Sequence, residues 1–148
     1  MKAEDEKTIL GGTSMYKWIK CDLPKLRAMS ISGELTYDML LNAITEMEDM
    51  ERQNPAGFDR LADLRKVEEI SLDSTEIRKI SDRRLAGYRG LSMRSAIFAS
   101  DPLTYGMLRI YAAMMEPSPI DVSVFYTLEE CTEWLNVEPE DIGLDMDC

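Results

Sequence analysis

Apolar and polar residues alternate in two short segments near the start of the chain, as in strands that bury one face. The first covers residues 15–21, where Tyr16 and Trp18 fall on the same side, and the second covers residues 26–31. Asp22-Leu23-Pro24 lies between them and is typical of a turn. The pattern predicts an antiparallel β-hairpin, and we expect Gly33 to end its second strand.

Helical and strand patterns then alternate along the rest of the chain. Apolar residues recur every three or four positions in four segments, which predicts helices that begin near Tyr37, Ser74, Pro102 and Thr127. Short apolar runs at 58–64, 93–99 and 120–124 predict strands between them. A helix that connects two strands of one sheet makes them parallel. The order β-β-α-β-α-β-α-β-α therefore predicts a single α/β domain, with a mostly parallel five-stranded sheet and covering helices.

The two ends of the chain lack this regular pattern. Residues 1–14 have no apolar period, so we expect a flexible leader. Residues 138–148 are acidic and predict a loose tail. The domain is expected to cover residues 15–137.

The composition excludes several classes of mechanism. The chain has 148 residues and no histidine, so a histidine-based triad or a structural zinc site is not expected. Its three cysteines are far apart, and Cys21 and Cys131 are interpreted as small buried apolar residues. We expect no catalytic residue, metal or cofactor, and hence no enzyme. No apolar run is long enough to span a membrane and the start is acidic, so we expect a cytoplasmic protein.

The net charge of −11 is unevenly distributed. Residues 60–94 carry nine basic and six acidic side chains (net +3), whereas residues 95–148 carry one basic and eleven acidic side chains (net −10). The overall negative charge argues against nucleic acid as a partner. A basic partner on the acidic C-terminal part and an acidic group near the middle are both open, and solvated surface charge is the simplest interpretation.

One junction combines several candidate residues. Asp63 is predicted at the end of a buried strand, and Asp73-Ser74-Thr75 opens the next helix. Ligands and partners of open α/β sheets bind where strands end and helices begin, and a helix N-terminus favours an added phosphate. Ser74 and Thr75 are thus candidate phosphoacceptors or part of a partner surface. The alternative interpretation is structural: Asp73 with Glu76, or Ser71 with Ser74, caps the helix, and Asp63 pairs with a neighbouring basic side chain or amide.

A second candidate site lies on the third predicted helix. Met107, Tyr111 and Met114 share one face with Leu103 and Ile110. Eleven methionines are many for this length, and flexible thioethers can line an apolar pocket or a partner surface. Ordinary core packing is the interpretation that we favour.

The order of elements and several residues resemble the STAS domain, the fold of bacterial anti-sigma-factor antagonists. The resemblance is carried by residues 31–36, by the strand that closes on Asp63-Leu64-Arg65, and by the helix-strand alternation that follows. It covers roughly residues 15–136 and is closest to the SpoIIAA-like branch, which is related to the CRAL-TRIO lipid-binding folds.

The resemblance implies a function as well as a fold. In the regulatory members a partner kinase, which is also an anti-sigma factor, phosphorylates a serine in an Asp-Ser-Ser/Thr-Gly motif, and Asp73-Ser74-Thr75 matches its first three positions. Here the loop after Asp63 is two residues longer and Glu76 replaces the glycine, so a phosphate on Ser74 would be repelled. We expect a non-enzymatic bacterial regulatory domain that acts through protein–protein contact. The alternative is a carrier or sensor of a small lipid-like ligand. An exposed hairpin edge is also compatible with a homodimer.

Overall fold

The computed structural model describes residues 7–9, 14–19, 21, 23–88 and 90–143. Most of the predicted leader and the last five residues of the predicted tail lie outside these ranges. The strands and helices follow one another as β1 (Lys7–Ile9), β2 (Met15–Ile19), β3 (Leu26–Thr36), α1 (Tyr37–Gln53), β4 (Asp59–Ser71), α2 (Ser74–Gly87), β5 (Met93–Phe98), α3 (Pro102–Met114), β6 (Ile120–Phe125), α4 (Leu128–Leu135) and a 3₁₀ turn (Pro139–Asp141).

The strands form one sheet in the order of the sequence, β1-β2-β3-β4-β5-β6. The pairs β1/β2 and β2/β3 are antiparallel, and the remaining neighbours are parallel. The predicted α/β architecture, with its hairpin and three crossovers, is confirmed. The sheet has one strand more than predicted, because the three residues of β1 carry no apolar alternation and join β2 by backbone pairing.

Strands β3 and β4 are longer than predicted, and two predictions about their ends are wrong. Gly33 does not end β3: it adopts a positive φ of 78° inside the strand, beside a shift in register with β4. Such a bulge adds twist while the pairing continues. Asp63 does not end β4, which continues to Ser71. The extension escapes the sequence pattern because its residues are half-exposed and have no regular alternation.

The two faces of the sheet carry different helices. Helices α1, α2 and α3 pack on one face, in clusters that contain Ile31, Leu64 and Ile97. Helix α4 covers the other face, where Leu61 and Phe98 pack against it. Since alternate residues of a strand point to opposite faces, neighbouring residues of β4 belong to different sites.

The segment after α4 folds back on the hairpin side of the molecule. Ile142 is buried and forms an antiparallel bridge with Cys21. Cys131 on α4 is completely buried, in agreement with its interpretation as a small apolar residue. Burial, with the nearby charges of Glu130 and Asp63, raises the pKa of the Cys131 thiol to about 12. The thiol is therefore protonated at neutral pH.

Candidate functional site

The candidate residues from the sequence lie in three separate parts of the molecule. Asp63 is in the middle of β4, on the face that α4 covers. Ser74 follows the end of the same strand, and the eight steps from Asp63 to Ser71 extend over roughly 26 Å at the usual rise per residue. Met107 and Tyr111 belong to α3, on the opposite face of the sheet. The structure does not bring these residues together into one site.

Asp63 is a buried carboxylate whose partners come from its own strand. It is 1% exposed. The Nη2 of Arg65 donates to it at 2.9 Å, and the Nε of Arg65 lies 3.2 Å from each carboxylate oxygen. The backbone N–H of Arg65 adds a third donor at 3.0 Å. The guanidinium also lies 5.2 Å from the centre of the Phe98 ring. Asp63 is thus placed as a structural anchor beneath α4 rather than as an open ligand site.

The start of α2 is a complete capping box. Asp73 accepts from the backbone N–H of Glu76 at 2.8 Å, and the Glu76 carboxylate accepts from the backbone N–H of Asp73 at 3.1 Å. Ser74 and Thr75 follow as the first two helical residues, and both are exposed. The reciprocal bonds satisfy orphan donors of the helix end without a ligand.

A cavity of about 120 Å³ lies between the sheet and helices α1, α2 and α3. Its wall is formed mainly by aliphatic and methionine side chains of β3, β4, β5 and the three helices, such as Met29, Leu40, Ile44, Ile97 and Leu108. Met107 and Tyr111 also line it, so two of the three predicted pocket residues lie in its wall. Met114 lies elsewhere, and its sulfur accepts from the Ser81 hydroxyl at 3.6 Å.

Arg60 on β4 is one of the few polar residues in this mostly apolar wall, together with Arg27 and Ser95. It is 6% exposed, and its Nη1 contacts the sulfur of Met47. The nearest carboxylate oxygen, Oε2 of Glu51, is 3.8 Å from Nη1. The Nε of Arg60 has no hydrogen-bond partner within the part of the chain that the structure describes. An unsatisfied buried donor costs about 1–3 kcal/mol, so the position of Arg60 lowers the stability of the fold.

Arg60 belongs to a buried cluster of charges between α1, α2 and β4. Arg84 is completely buried and binds Glu51 through two bonds, at 3.0 Å and 2.7 Å. It also reaches Glu48 at 3.3 Å, and Arg83 binds the other oxygen of Glu48 at 2.7 Å. The cluster is therefore an ion network that links the two helices.

The cluster changes the proton affinities of its arginines in opposite directions. Burial, and then the charge of Arg84, lower the pKa of Arg60 to about 10. Burial by itself also lowers the pKa of Arg84, but the hydrogen bonds and charge of Glu51 outweigh it and raise the pKa overall. Both residues remain cations at neutral pH. The positive charge of Arg60 is less well balanced by nearby carboxylates than that of Arg84.

The sequence contains two signals for this cluster, but its pattern alone does not identify it. Arg60 lies within the predicted strand at 58–64, and Arg84 continues the inward stripe of Ile77 and Ile80 at helical spacing. The pattern places Glu48 on the outer face of α1, whereas its side chain is 17% exposed in the structure. Charged residues are usually assigned to the surface, and only their partners reveal that they are buried.

The outer face of α3 is an apolar surface that none of the described residues covers. Leu103 is 67% exposed and Ile110 is 42% exposed, and Gly106 and Ala113 are exposed between and beyond them. The four residues recur at helical spacing, so they form one stripe. Of the thirteen residues of α3, Thr104 is the one that is buried. The prediction that Leu103 and Ile110 face the same way as Met107 and Tyr111 is only partly right, because a nearly uncharged helix gives its pattern no clear polar side.

The described residues contain no group of three cysteines, aspartates or glutamates placed to hold a metal ion. No helix among them combines the length and the apolar character needed to cross a membrane.

Comparison with known proteins supports the fold. No protein-family model and no curated protein matches the chain. A solved structure is similar: an uncharacterised protein of the DUF3478 family with a SpoIIAA-like fold, from Shewanella loihica PV-4. It aligns with a TM-score of 0.57 and 15% identity, over 86% of this chain and 99% of that protein. The chain therefore has a SpoIIAA-like fold, as the resemblance implies, and at this identity the likeness concerns the fold alone.

The pairing of Asp63 with Arg65 can be tested by the stability of variants. We expect Asp63→Ala to lower the free energy of unfolding by about 3–5 kcal/mol, because a buried guanidinium loses its partner. Replacing both residues, by Asp63→Leu with Arg65→Met, is expected to give a stability close to that of the wild type. Urea denaturation followed by circular dichroism measures both. An equal loss in the single and the double variant would contradict this role of the pair.

The capping role of Asp73 can be tested in the same way. Asp73→Ala removes the acceptor for the Glu76 N–H and is expected to lower the free energy of unfolding by about 1 kcal/mol. Ser74→Ala and Thr75→Ala are the matched controls, with expected changes within about 0.5 kcal/mol because both residues are exposed. A loss in Ser74→Ala as large as that in Asp73→Ala would assign the cap to the serine instead.

Proposed function

We propose that this chain is a non-enzymatic regulatory domain that acts by protein–protein contact, and that the outer face of α3 is its contact surface. The observation that carries the proposal is the apolar stripe of Leu103, Gly106, Ile110 and Ala113, which no described residue covers. Exposed apolar residues that recur along one helix face are typical of interaction sites.

The charges around the stripe indicate the chemistry of the partner. Exposed acidic side chains surround α3: Asp101 precedes it, Glu116 follows it, and Asp121 lies on the neighbouring strand β6. Arg109 is the one basic residue in the last 54 positions of the sequence. We therefore assign to this surface an amphipathic partner segment, with apolar residues for the stripe and Lys or Arg at its margins.

The contact surface that we propose lies on α3 and not at the start of α2. By resemblance, the partner class is a kinase that also acts as an anti-sigma factor, with Ser74 or Thr75 as phosphoacceptor. Both residues are exposed, but the Glu76 carboxylate is held by the backbone N–H of Asp73 in the same first turn. A phosphate would add negative charge beside it, so the regulatory contact is better supported at α3.

The α3 surface can be tested with synthetic peptides as probes. We expect a labelled amphipathic peptide of Leu and Lys to bind the wild type roughly tenfold more tightly than the Leu103→Asp/Ile110→Asp variant, because two central apolar contacts are lost. Leu91→Asp is the matched control, since Leu91 is 61% exposed and lies outside α3. Fluorescence anisotropy at two salt concentrations measures the affinities.

Three outcomes of this experiment would contradict the assigned partner. The first is equal binding by the wild type and the α3 variant. The second is equal binding of the Lys peptide and a Leu/Glu peptide, which would remove the role of charge. The third is a homodimer in sedimentation that Leu103→Asp/Ile110→Asp dissociates, which would make a second copy the occupant of the stripe.

A second candidate function is supported by a different observation, the apolar cavity between the sheet and the three helices. Its volume of about 120 Å³ is comparable to the engineered cavity of about 150 Å³ that binds benzene. The methionines in its wall can adapt to an occupant. This supports a carrier or sensor of a small apolar ligand, of a size well below that of a membrane lipid.

Benzene is a suitable probe for the cavity. We expect saturating benzene to raise the melting temperature of the wild type, because a ligand that binds the folded state stabilises it. Ala62→Leu extends a side chain into the cavity wall and is expected to abolish the shift, whereas Ala113→Leu on the exposed face of α3 should keep it. No shift in the wild type, or the same shift in all three proteins, would remove this candidate function.

A further inference from the structure

Arg60 places a buried cation in the wall of a mostly apolar cavity. Most of the other lining residues are aliphatic or methionine side chains, contributed by both the sheet and the helices. Arg60 is 6% exposed, so water provides little solvation for its charge. A buried charge requires a partner that is close and well oriented.

Among the described residues, Arg60 has no carboxylate that is both close and well oriented. The cluster contains three arginines, at positions 60, 83 and 84, and two carboxylates, Glu48 and Glu51. Within the part of the chain that the structure describes, the cluster therefore has a formal excess of one positive charge, and water solvates part of it because the side chain of Arg83 is 37% exposed. The excess falls on Arg60, because Arg84 takes both oxygens of Glu51, while Arg60 remains 3.8 Å from the nearer one.

The hydrogen bonds of Arg60 show the same deficit. Its Nη1 meets a thioether, which is a weak acceptor, and its Nε has no partner among the described residues. A guanidinium offers Nε and one terminal nitrogen as a fork that fits the two oxygens of a carboxylate. With a pKa of about 10, Arg60 is charged at neutral pH and can bind an anion.

The size of the cavity and the excess charge limit the anion. A space of about 120 Å³ is similar in size to the cavity of about 150 Å³ that holds benzene, so it accommodates a few apolar carbons beside the guanidinium. A single excess positive charge matches a monoanion rather than a phosphate ester, which carries nearly two negative charges at neutral pH.

We propose that the cavity binds a small apolar monocarboxylate, whose carboxylate accepts hydrogen bonds from Arg60 and whose hydrocarbon part fills the space between the sheet and helices α1, α2 and α3. This inference rests on the ligand-carrying candidate function and names its ligand class. The carboxylate supplies the partner that the Arg60 Nε lacks, and it balances the charge of the cluster.

The probe is 3-methylbutanoate, compared with its neutral amide, 3-methylbutanamide. We expect the wild type to bind the carboxylate about tenfold more tightly than the amide, because a hydrogen bond to a charged partner is the stronger kind. Arg60→Met is expected to remove this preference while benzene binding persists. This variant leaves two arginines facing two carboxylates, so it is expected to fold. Isothermal titration calorimetry measures the affinities.

Arg27→Met is the matched control. Arg27 also lines the cavity, but its Nη1 already donates to the carbonyls of Pro24 and Leu26, at 3.1 Å and 3.2 Å. We expect this variant to keep the preference for the carboxylate. Arg60→Lys is a second variant that keeps the charge without the fork, and it is expected to bind the carboxylate roughly threefold to tenfold less tightly than the wild type.

The outcomes separate this inference from the function on which it rests. If benzene binds while the carboxylate and the amide bind equally, the cavity carries ligands but the inference is wrong. If Arg27→Met abolishes the preference and Arg60→Met does not, the assignment to Arg60 is overturned. If neither benzene nor the carboxylate binds the wild type, the carrier function itself fails.

Discussion

The two-point contact between Arg84 and Glu51 determines how α1 and α2 lie over β4. The Nη1 of Arg84 donates to Oε1 of Glu51 at 3.0 Å and its Nη2 donates to Oε2 at 2.7 Å, and Arg84 is completely buried. Such a fork fixes orientation as well as distance. Because burial of the charges offsets much of their attraction, the pair contributes more to the geometry of the helices than to net stability. Arg60 lies 3.8 Å from Oε2 of the same Glu51 and also lines the adjacent cavity.

Much of the architecture could be predicted because it follows from local patterns. The hairpin, the helix periods and the crossovers are each visible within a short window of sequence, and together they permit few topologies. The outer half of β4 was missed for a physical reason. Its described pairing with β5 ends at Asp63, and from Arg65 to Ser71 its residues are half-exposed or exposed and lack the apolar run that marks a buried strand.

The candidate sites were harder to predict because they depend on contacts between distant segments. Asp63 and Ser74 are close in sequence, but an extended strand separates them, and Asp63 is occupied by Arg65. The capping box could be predicted because its two residues are three positions apart. The buried arginines could not be assigned, since residues 48, 51, 60 and 84 come together only when the helices pack on the sheet. The exposed stripe of α3 was hidden by the apolar character of the whole helix.

The long parallel ladder between β3 and β4 has a consequence for folding kinetics. It pairs Leu26 with Asp59 and Thr36 with Ser71, so every rung joins residues more than thirty positions apart. The chain must close this loop, with α1 inside it, before the hydrogen bonds of the ladder can offset the lost conformational entropy of the chain. Contacts of such long range slow folding, whereas α1 can form locally and early. Formation of the β3/β4 ladder is thus expected to be the slow step of folding.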